Sequence, residues 1–230
     1  MPNSLPQDLS IVPRREWQTQ TRDSIFHQHW TPRGHTFGAC MSRPNTDWMY
    51  VNIPKNASSW TKPLLLEQKF EFYNYHSDKL YHKKALVVLR DPVDRWLSGI
   101  AEYFTLYYPH MAAGHFTPSV FDLVFDRVTF DDHTEKQVKF IQGLDTDHCT
   151  FMMCDDKYRQ NFSNFVRERM GDNRYDRYEY QHVSDDSPER RQFKILLNEA
   201  MLDRPKYLEQ IKNYFAADYR LIEQVKFYGR

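Results

Sequence analysis

Hydrophobic and polar positions along the chain predict strands that alternate with helices from about residue 46 onward. Apolar side chains run without interruption through Ala85-Leu-Val-Val-Leu89, which is typical of a strand buried on both faces of a sheet. Residues 47–53 form a similar apolar segment that ends before Pro54, as a buried strand does. Strands are predicted at residues 47–53, 70–75, 85–89 and 150–154, with another near 178–183.

Helices are predicted between these strands, because apolar residues recur there every three or four positions. Asp91 and Pro92 supply an N-cap and a first-turn proline, after which Val93, Leu97 and Ile100 share one face. The other helices are predicted at residues 58–70, 118–128, 133–142, 157–170, 188–202 and 204–224. This alternation indicates an α/β fold with a mostly parallel central sheet flanked by helices.

The composition favours one folded domain preceded by an arm. The chain has 230 residues, of which 40% are hydrophobic and 16% aromatic, enough to build a substantial core. Residues 1–45 carry prolines without sustained periodicity, so we expect an N-terminal arm with little regular structure there. Residues 46–230 are expected to form the α/β domain.

The charge balance restricts the partners. The 31 Lys and Arg residues equal the 31 Asp and Glu residues, whereas a protein that binds nucleic acid through phosphates usually has a basic surplus. We therefore expect no nucleic-acid partner, and any anion site must be local. No apolar run approaches the roughly 18 residues of a membrane span, and the first residues do not resemble a secretory signal. The three cysteines form no even disulfide framework. A cytoplasmic protein without a membrane span is expected.

The first segment with candidate chemistry is Tyr50-Val-Asn-Ile-Pro-Lys-Asn-Ala-Ser-Ser-Trp60. It runs from a strand through a turn into a helix start, where unpaired backbone N–H groups can hold an anion. Lys55 adds a positive charge, and Ser58 and Ser59 add hydroxyl donors. The segment is not a Walker A loop, because G-x-x-x-x-G-K-[ST] is absent. A capped helix with a solvated lysine is the alternative interpretation.

The second segment is Leu86-Val-Val-Leu-Arg-Asp-Pro-Val-Asp-Arg-Trp-Leu-Ser98. It places Arg90 at the carboxyl end of a buried strand and Ser98 two helical turns farther on. Open α/β sheets bind ligands in the crevice at this edge, and an arginine there can bind a phosphate through two hydrogen bonds. Alternatively, Arg90 pairs with Asp91 or Asp94, and Ser98 is an ordinary helix residue.

Together the two segments resemble the sulfotransferase family, with the closest similarity to its carbohydrate-sulfotransferase branch. Pro54-Lys-Asn-Ala-Ser-Ser-Trp60 resembles the family's 5′-phosphosulfate loop, in which many members have glycine at the position of Ala57. Arg90-Asp-Pro, with Ser98 eight residues after the arginine, resembles the family's 3′-phosphate segment. The C-terminal helices, over residues 205–222, are also similar to those of the carbohydrate branch.

The resemblance implies a P-loop-like three-layer α/β sandwich that uses 3′-phosphoadenosine 5′-phosphosulfate as sulfate donor. The product would be adenosine 3′,5′-bisphosphate, no metal would be needed, and the acceptor would be a hydroxyl of a small molecule or glycan. By position in the motifs, the 5′-phosphosulfate would be held by Lys55, Asn56, Ala57, Ser58 and Ser59. Trp60 would stack on the adenine, and Arg90 and Ser98 would bind the 3′-phosphate.

Sulfuryl transfer needs a group that stabilises the leaving oxygen and a base that takes the acceptor's proton. Lys55 suits the first role. His76 is the expected base, because it follows a predicted strand at the place where many sulfotransferases carry their catalytic histidine. His82, His133 and Glu67 are the alternatives, and His133 is also a candidate acceptor-binding residue. Two other functions stay open: a nucleotide-binding module without turnover, and a structural or interaction domain.

Overall fold

The computed structural model describes residues 39–74, 80, 82–108, 118–171 and 187–230. Residues 1–38 of the predicted arm, the candidate base His76 and the strand predicted near residues 178–183 lie outside the described residues. Among the described residues, no helix is both long and apolar enough to cross a membrane.

Five strands form one open sheet in the order β3-β1-β2-β4-β5. Their bounds are Ala39–Ser42 (β1), Trp48–Val51 (β2), Glu71–Asn74 (β3), Lys84–Leu89 (β4) and Cys149–Met153 (β5). The central strand β4 pairs in parallel with β2 and with β5. Strand β1 pairs antiparallel with β2 and with β3. The α/β class is therefore confirmed, but the sheet is mixed rather than mostly parallel.

Strand β1 is the reason that the sheet is mixed, and the sequence did not predict it. It lies inside the segment 1–45 for which little regular structure was expected, and it has only four residues, all buried. Cys40 pairs with Val51 on one side and with Tyr73 on the other. Because both neighbouring strands satisfy its backbone, β1 depends on tertiary pairing, and four residues are too short for a diagnostic period.

Seven α-helices surround the sheet in the described part of the chain. They are Ser58–Glu67 (α1), Pro92–Tyr107 (α2), Pro118–Arg127 (α3), Tyr158–Met170 (α4), Pro188–Asp203 (α5), Pro205–Tyr214 (α6) and Ala216–Gln224 (α7). Helix α2 begins as predicted: Asp91 accepts hydrogen bonds from the N–H groups of Val93 and Asp94, and Pro92 occupies the first turn.

Both faces of the sheet are buried, because alternate residues of β2 and β4 point to opposite sides. Tyr50 and Leu86 lie on the face that packs against α1 and α4. Val51 and Val87 lie on the opposite face, which packs against a 3-10 helix at Gln137–Ile141 and against α7. Helices α2, α3, α5 and α6 build a separate aromatic-rich core beside the sheet.

The helix predicted at residues 133–142 is wrong: the structure has only the short 3-10 helix Gln137–Ile141. The hydroxyl of Thr134 accepts hydrogen bonds from the N–H groups of Phe130 and Asp131, and such local bonds compete with helix formation. Farther along, the Asp218 carboxylate accepts from the N–H groups of Gln137 and Val138 at 2.9 and 3.0 Å. These N–H groups are therefore bound from another part of the chain.

The single helix predicted at residues 204–224 is two helices, α6 and α7, separated at Phe215. Phe215 is fully buried in the helical core. The break changes what each half packs against: Ile211 of α6 belongs to the helical core, whereas Leu221 of α7 belongs to the core under the sheet. The amphipathic pattern of residues 204–224 is uninterrupted, so it does not show that the two halves pack against different cores.

Candidate functional site

A cavity of about 560 Å³ lies where the chain leaves β2, β4 and β5. This is the edge at which open α/β sheets bind ligands. Its wall is formed by Pro54, Lys55, Ala57, Ser58, Ser59, Lys62, Arg90, Ser98, Glu102, His133, Cys154, Arg159, Arg190 and Lys194. Both segments singled out in the sequence contribute to this wall.

The loop after β2 has an unusual backbone. Lys55 and Ala57 adopt positive φ angles of 67° and 57°, a left-handed conformation that costs residues with a Cβ atom roughly 1–2 kcal/mol. Ala57 also occupies the N-cap of α1 and provides no side-chain cap. The amino end of α1, with Ser58 and Ser59, thus borders the cavity, where its N–H groups and positive dipole favour an anion.

Lys55 lies in the cavity and forms an ion pair with Glu102 of α2. Burial lowers the pKa of the Lys55 ammonium to about 7, with Arg190 acting in the same direction and Asp131 against it. The ion pair with Glu102 favours the charged ammonium. Lys55 is therefore a largely desolvated amine whose charged form depends on its contact with the Glu102 carboxylate.

Asn56 does not line the cavity. It lies behind the wall, where its hydrogen bonds connect the loop after β2 with the end of β4. Its Nδ2 donates to Val88 O of β4 at 2.7 Å and to Gln137 Oε1 at 2.6 Å. The same Gln137 oxygen accepts from Arg90 N at 2.9 Å, and Gln137 Nε2 donates to Arg90 O at 2.9 Å. The amide groups of Asn56 and Gln137 thus hold the loop and the end of β4 in a fixed relation.

Trp60 is also absent from the cavity wall. Its indole ring packs edge-on against Tyr158 and Phe162, with ring centroids 5.7 and 5.4 Å apart. Only 6% of the residue is exposed. The structure therefore places Trp60 in the core shared with the sheet, and this position does not present its ring to the cavity for adenine stacking.

Arg90 and Ser98 both line the cavity, as the sequence predicted. Arg90 follows β4 directly, and its guanidinium donates to Lys55 O at 3.2 Å. Neither Asp91 nor Asp94 takes this guanidinium, because Asp91 caps α2 instead. Ser98 lies two turns into α2.

Arg95, which sequence reasoning missed, holds the loop from below. Its side chain is fully buried, and Nε donates to Pro54 O at 2.9 Å. The other guanidinium nitrogens donate to the backbone oxygens of Asp132 and Glu135. Burial lowers the pKa of Arg95 to about 10, opposed mainly by Asp218. The sequence Arg90-Asp-Pro-Val-Asp-Arg95 gives no sign that Arg95, and not Arg90, is the arginine with the fully buried side chain.

His133 lies in the cavity wall next to Glu102, with its Nε2 3.9 Å from Glu102 Oε1. Its Nδ1 lies 3.0 Å from Asp131 Oδ2 and 3.2 Å from Asp132 Oδ1. Burial alone would lower the pKa of His133, but these two carboxylates outweigh it and raise the pKa to about 9. Any Cβ at Gly99 would overlap the carbonyl oxygen of His133, so glycine permits this close approach.

Four basic residues of the wall were not predicted: Lys62, Arg159, Arg190 and Lys194. Arg190 and Lys194 lie four residues apart on α5, so they project from one side of that helix. This spacing is visible in the sequence, but it cannot show which cavity the helix borders. No predicted residue of the sequence motifs comes from α5.

Two of the alternative base candidates do not belong to the cavity wall. His82 and Glu67 are exposed and do not line the cavity. Asp131, Asp132 and His133 place potential ligand atoms within 4.8 Å of one another, but their mutual hydrogen bonds account for this grouping. Cys40, Cys149 and Cys154 are free thiols.

No protein-family model, curated protein or solved structure matches this chain.

Proposed function

We propose that the protein is a sulfotransferase that moves a sulfuryl group from 3′-phosphoadenosine 5′-phosphosulfate to a hydroxyl acceptor, such as that of a carbohydrate. The observation that carries this proposal is the shared cavity. Lys55, Ser58 and Ser59 come from one motif, Arg90 and Ser98 from the other, and all five line the same wall.

The charge of the cavity supports an anionic donor. Its wall contains six Lys or Arg residues and, among the described residues, one carboxylate, Glu102, although the whole chain has a formal net charge of zero. A donor that carries a 3′-phosphate and a 5′-phosphosulfate has several negative charges to place. Guanidinium and ammonium groups bind such oxygens with charge-assisted hydrogen bonds.

The two ends of the donor have different partners in this proposal. The 5′-phosphosulfate lies at the amino end of α1, where Ser58, Ser59 and Lys55 meet. The 3′-phosphate lies at Arg90 and Ser98, and Asn56 acts only through its hydrogen bonds behind the loop. As the bond from sulfur to the bridging oxygen breaks, the Lys55 ammonium stabilises the charge that develops on that oxygen.

The proposal includes a P-loop-like three-layer sandwich as the fold. Strands β2, β4 and β5 are parallel and the loop after β2 leads into α1, an arrangement consistent with a P-loop-like sandwich without a Walker A motif. His76 remains the base predicted from the sequence. A cytoplasmic protein that acts on a glycan or small-molecule acceptor is part of the same hypothesis.

Titration calorimetry with adenosine 3′,5′-bisphosphate tests the donor site. We expect the wild type to bind, and Arg90→Ala to weaken binding roughly ten- to a hundredfold, the loss of a charged hydrogen bond worth about 1.5–3 kcal/mol. Arg220→Ala, which removes an exposed arginine from α7, is the matched control and should bind like the wild type.

The result also separates the alternative functions. A folded Arg90→Ala protein with wild-type affinity would contradict the 3′-phosphate assignment. A wild type that binds the bisphosphate but forms no sulfated product with any acceptor would be a nucleotide-binding module. A wild type that does not bind the bisphosphate at all would support a structural or interaction domain.

A further inference from the structure

Glu102 occupies a position that no sequence motif indicated. It lies on α2, one helical turn after Ser98, and it is the only carboxylate among the described residues of the cavity wall. Its side chain is 20% exposed, so it is accessible from the cavity while largely shielded from bulk water. A carboxylate in a cavity for an anionic donor costs binding energy, which calls for an explanation.

The contacts of Glu102 place it at the reacting end of the cavity. One carboxylate oxygen pairs with Lys55, the residue expected to stabilise the leaving oxygen, and the other lies 3.9 Å from His133 Nε2. Since Lys55 and Glu102 touch each other, both side chains reach the same point in space. A donor sulfur placed there lies within reach of both.

The other groups of the described wall are poor proton acceptors at neutral pH. His133 is engaged by Asp131 and Asp132, which keep it protonated. Burial raises the pKa of the Cys154 thiol, which therefore stays protonated. Lys55 is assigned to the leaving oxygen, and the other wall groups are lysine or arginine cations, serine hydroxyls or groups without a titratable proton, so Glu102 remains.

On the basis of the proposed function, we propose that Glu102 is the catalytic base. Its carboxylate takes the proton of the acceptor hydroxyl while the acceptor oxygen forms a bond to sulfur. The bond from sulfur to the bridging oxygen breaks, and its electron pair stays on that oxygen, beside the Lys55 ammonium. The proton then passes from Glu102 to water when the products leave.

This assignment gives the Lys55–Glu102 contact a role. In the ion pair each group neutralises the other, and the entering phosphosulfate separates them, with Lys55 at the leaving oxygen and Glu102 at the acceptor. Lys55 and His133 contact or approach Glu102, and Arg190 and Lys194 line the same wall. Coulombic attraction to these cations stabilises the negative charge of the carboxylate.

The experiment uses sulfur-labelled 3′-phosphoadenosine 5′-phosphosulfate with water as the acceptor, and measures released sulfate. We expect Glu102→Gln to lower the release rate roughly 10²- to 10⁴-fold, the usual contribution of a general base. Its affinity for adenosine 3′,5′-bisphosphate should stay equal or increase, because a negative charge leaves the site. Glu199→Gln, which changes an exposed carboxylate of α5, is the control and should keep the wild-type rate.

The pH profile and a second variant distinguish a carboxylate base from a histidine base. With a carboxylate base, the wild-type rate should stay level as the pH falls from about 7 to about 5.5, whereas a histidine base would lose activity below about pH 6.5. Glu102→Asp withdraws the carboxylate by one methylene and should also be slow. It replaces Glu102→Gln if that variant does not fold, as judged by circular dichroism.

The outcomes distinguish this inference from the proposed function. If the wild type releases sulfate and folded Glu102→Gln does so equally fast, Glu102 is not the base and the sulfotransferase proposal stands. A slow His76→Ala variant beside a fast Glu102→Gln variant would return the role to His76. A wild type that binds the bisphosphate but transfers the sulfuryl group neither to water nor to any hydroxyl acceptor supplied overturns both proposals.

Discussion

At the scale of single residues, the loop after β2 shows backbone strain at the candidate site. Lys55 and Ala57 are both left-handed without being glycine, and strain of this kind persists where the surrounding structure enforces it. Here Arg95 and Asn56 hold the loop through buried hydrogen bonds to Pro54 O, Val88 O and Gln137. These buried hydrogen bonds therefore hold the strained loop in place at the cavity wall.

Ala57→Gly tests this conformation. Glycine removes the left-handed penalty of roughly 1–2 kcal/mol but adds unfolded-state entropy worth roughly 0.5–1 kcal/mol, so we expect unchanged stability or a gain of up to about 1.5 kcal/mol. Ala200→Gly within α5 is the control and should lose about 1 kcal/mol. Urea unfolding measures both, and equal losses in the two variants would contradict a left-handed Ala57.

At the scale of elements, α5 closes the cavity although it is remote in sequence from both motifs. Phe193 of α5 packs on Phe104 of α2 with ring centroids 5.4 Å apart, and Leu197 is buried in the same helical core. With this face turned inward, Arg190 and Lys194 reach the cavity wall. Arg190 Nε is buried and has no hydrogen-bond partner among the described residues.

Arg190→Ala is expected to weaken binding of adenosine 3′,5′-bisphosphate roughly tenfold or more, because a guanidinium in the cavity wall can form charge-assisted hydrogen bonds with an anion. Arg191→Ala changes the next residue of α5, which is exposed and outside the cavity wall, and should bind normally. Calorimetry on both variants gives the comparison. Equal affinities for Arg190→Ala and Arg191→Ala would remove α5 from the donor site.

At the scale of the whole molecule, buried charges join segments that lie far apart in the chain. Arg95 of α2 bonds to the segment 132–135, and Asp218 of α7 binds the amides of Gln137 and Val138. Burial raises the pKa of Asp218 to about 6, although these amides act against the shift. His133 lies in the same region, against the cavity, so its protonation affects the stability of the fold.

The stability of the protein should fall in alkaline solution because of His133. Its folded-state pKa of about 9 lies above the ordinary value of 6.5, so its stabilising contribution is complete below pH 6.5 and is lost as the pH rises through 9. The difference corresponds to about 3 kcal/mol. Measured by urea unfolding from pH 6 to pH 10, the advantage of wild type over His133→Gln should shrink by about this amount.

His148→Gln provides the comparison for this measurement. His148 also contacts an aspartate, but its side chain is 68% exposed, and exposed ion pairs contribute little to stability. Its difference from wild type should therefore stay small at every pH. A His133→Gln difference that does not change between pH 6 and pH 10 would show that the imidazole is not held as a cation.

The sequence by itself determined the features that depend on neighbours along the chain. The strands β2 and β4, the capped start of α2 and the strand-turn-helix around Lys55 all follow from local periodicity and capping, and the structure has them. The membership of Lys55, Ser58, Ser59, Arg90 and Ser98 in one cavity was also predictable, because parallel strands bring their carboxyl ends to one edge of the sheet.

Only the tertiary structure decided which side chains face the cavity and which hold it from behind. Asn56 and Trp60 lie within the motif, yet hydrogen bonds and ring packing turn them away from the wall. Glu102, Arg190 and Lys194 lie outside the motifs, yet helix packing brings them to the wall. Strand β1, the break at Phe215 and the capture of the Gln137 and Val138 amides by Asp218 have the same cause. Each depends on a partner distant in the chain, and local periodicity carries no information about such partners.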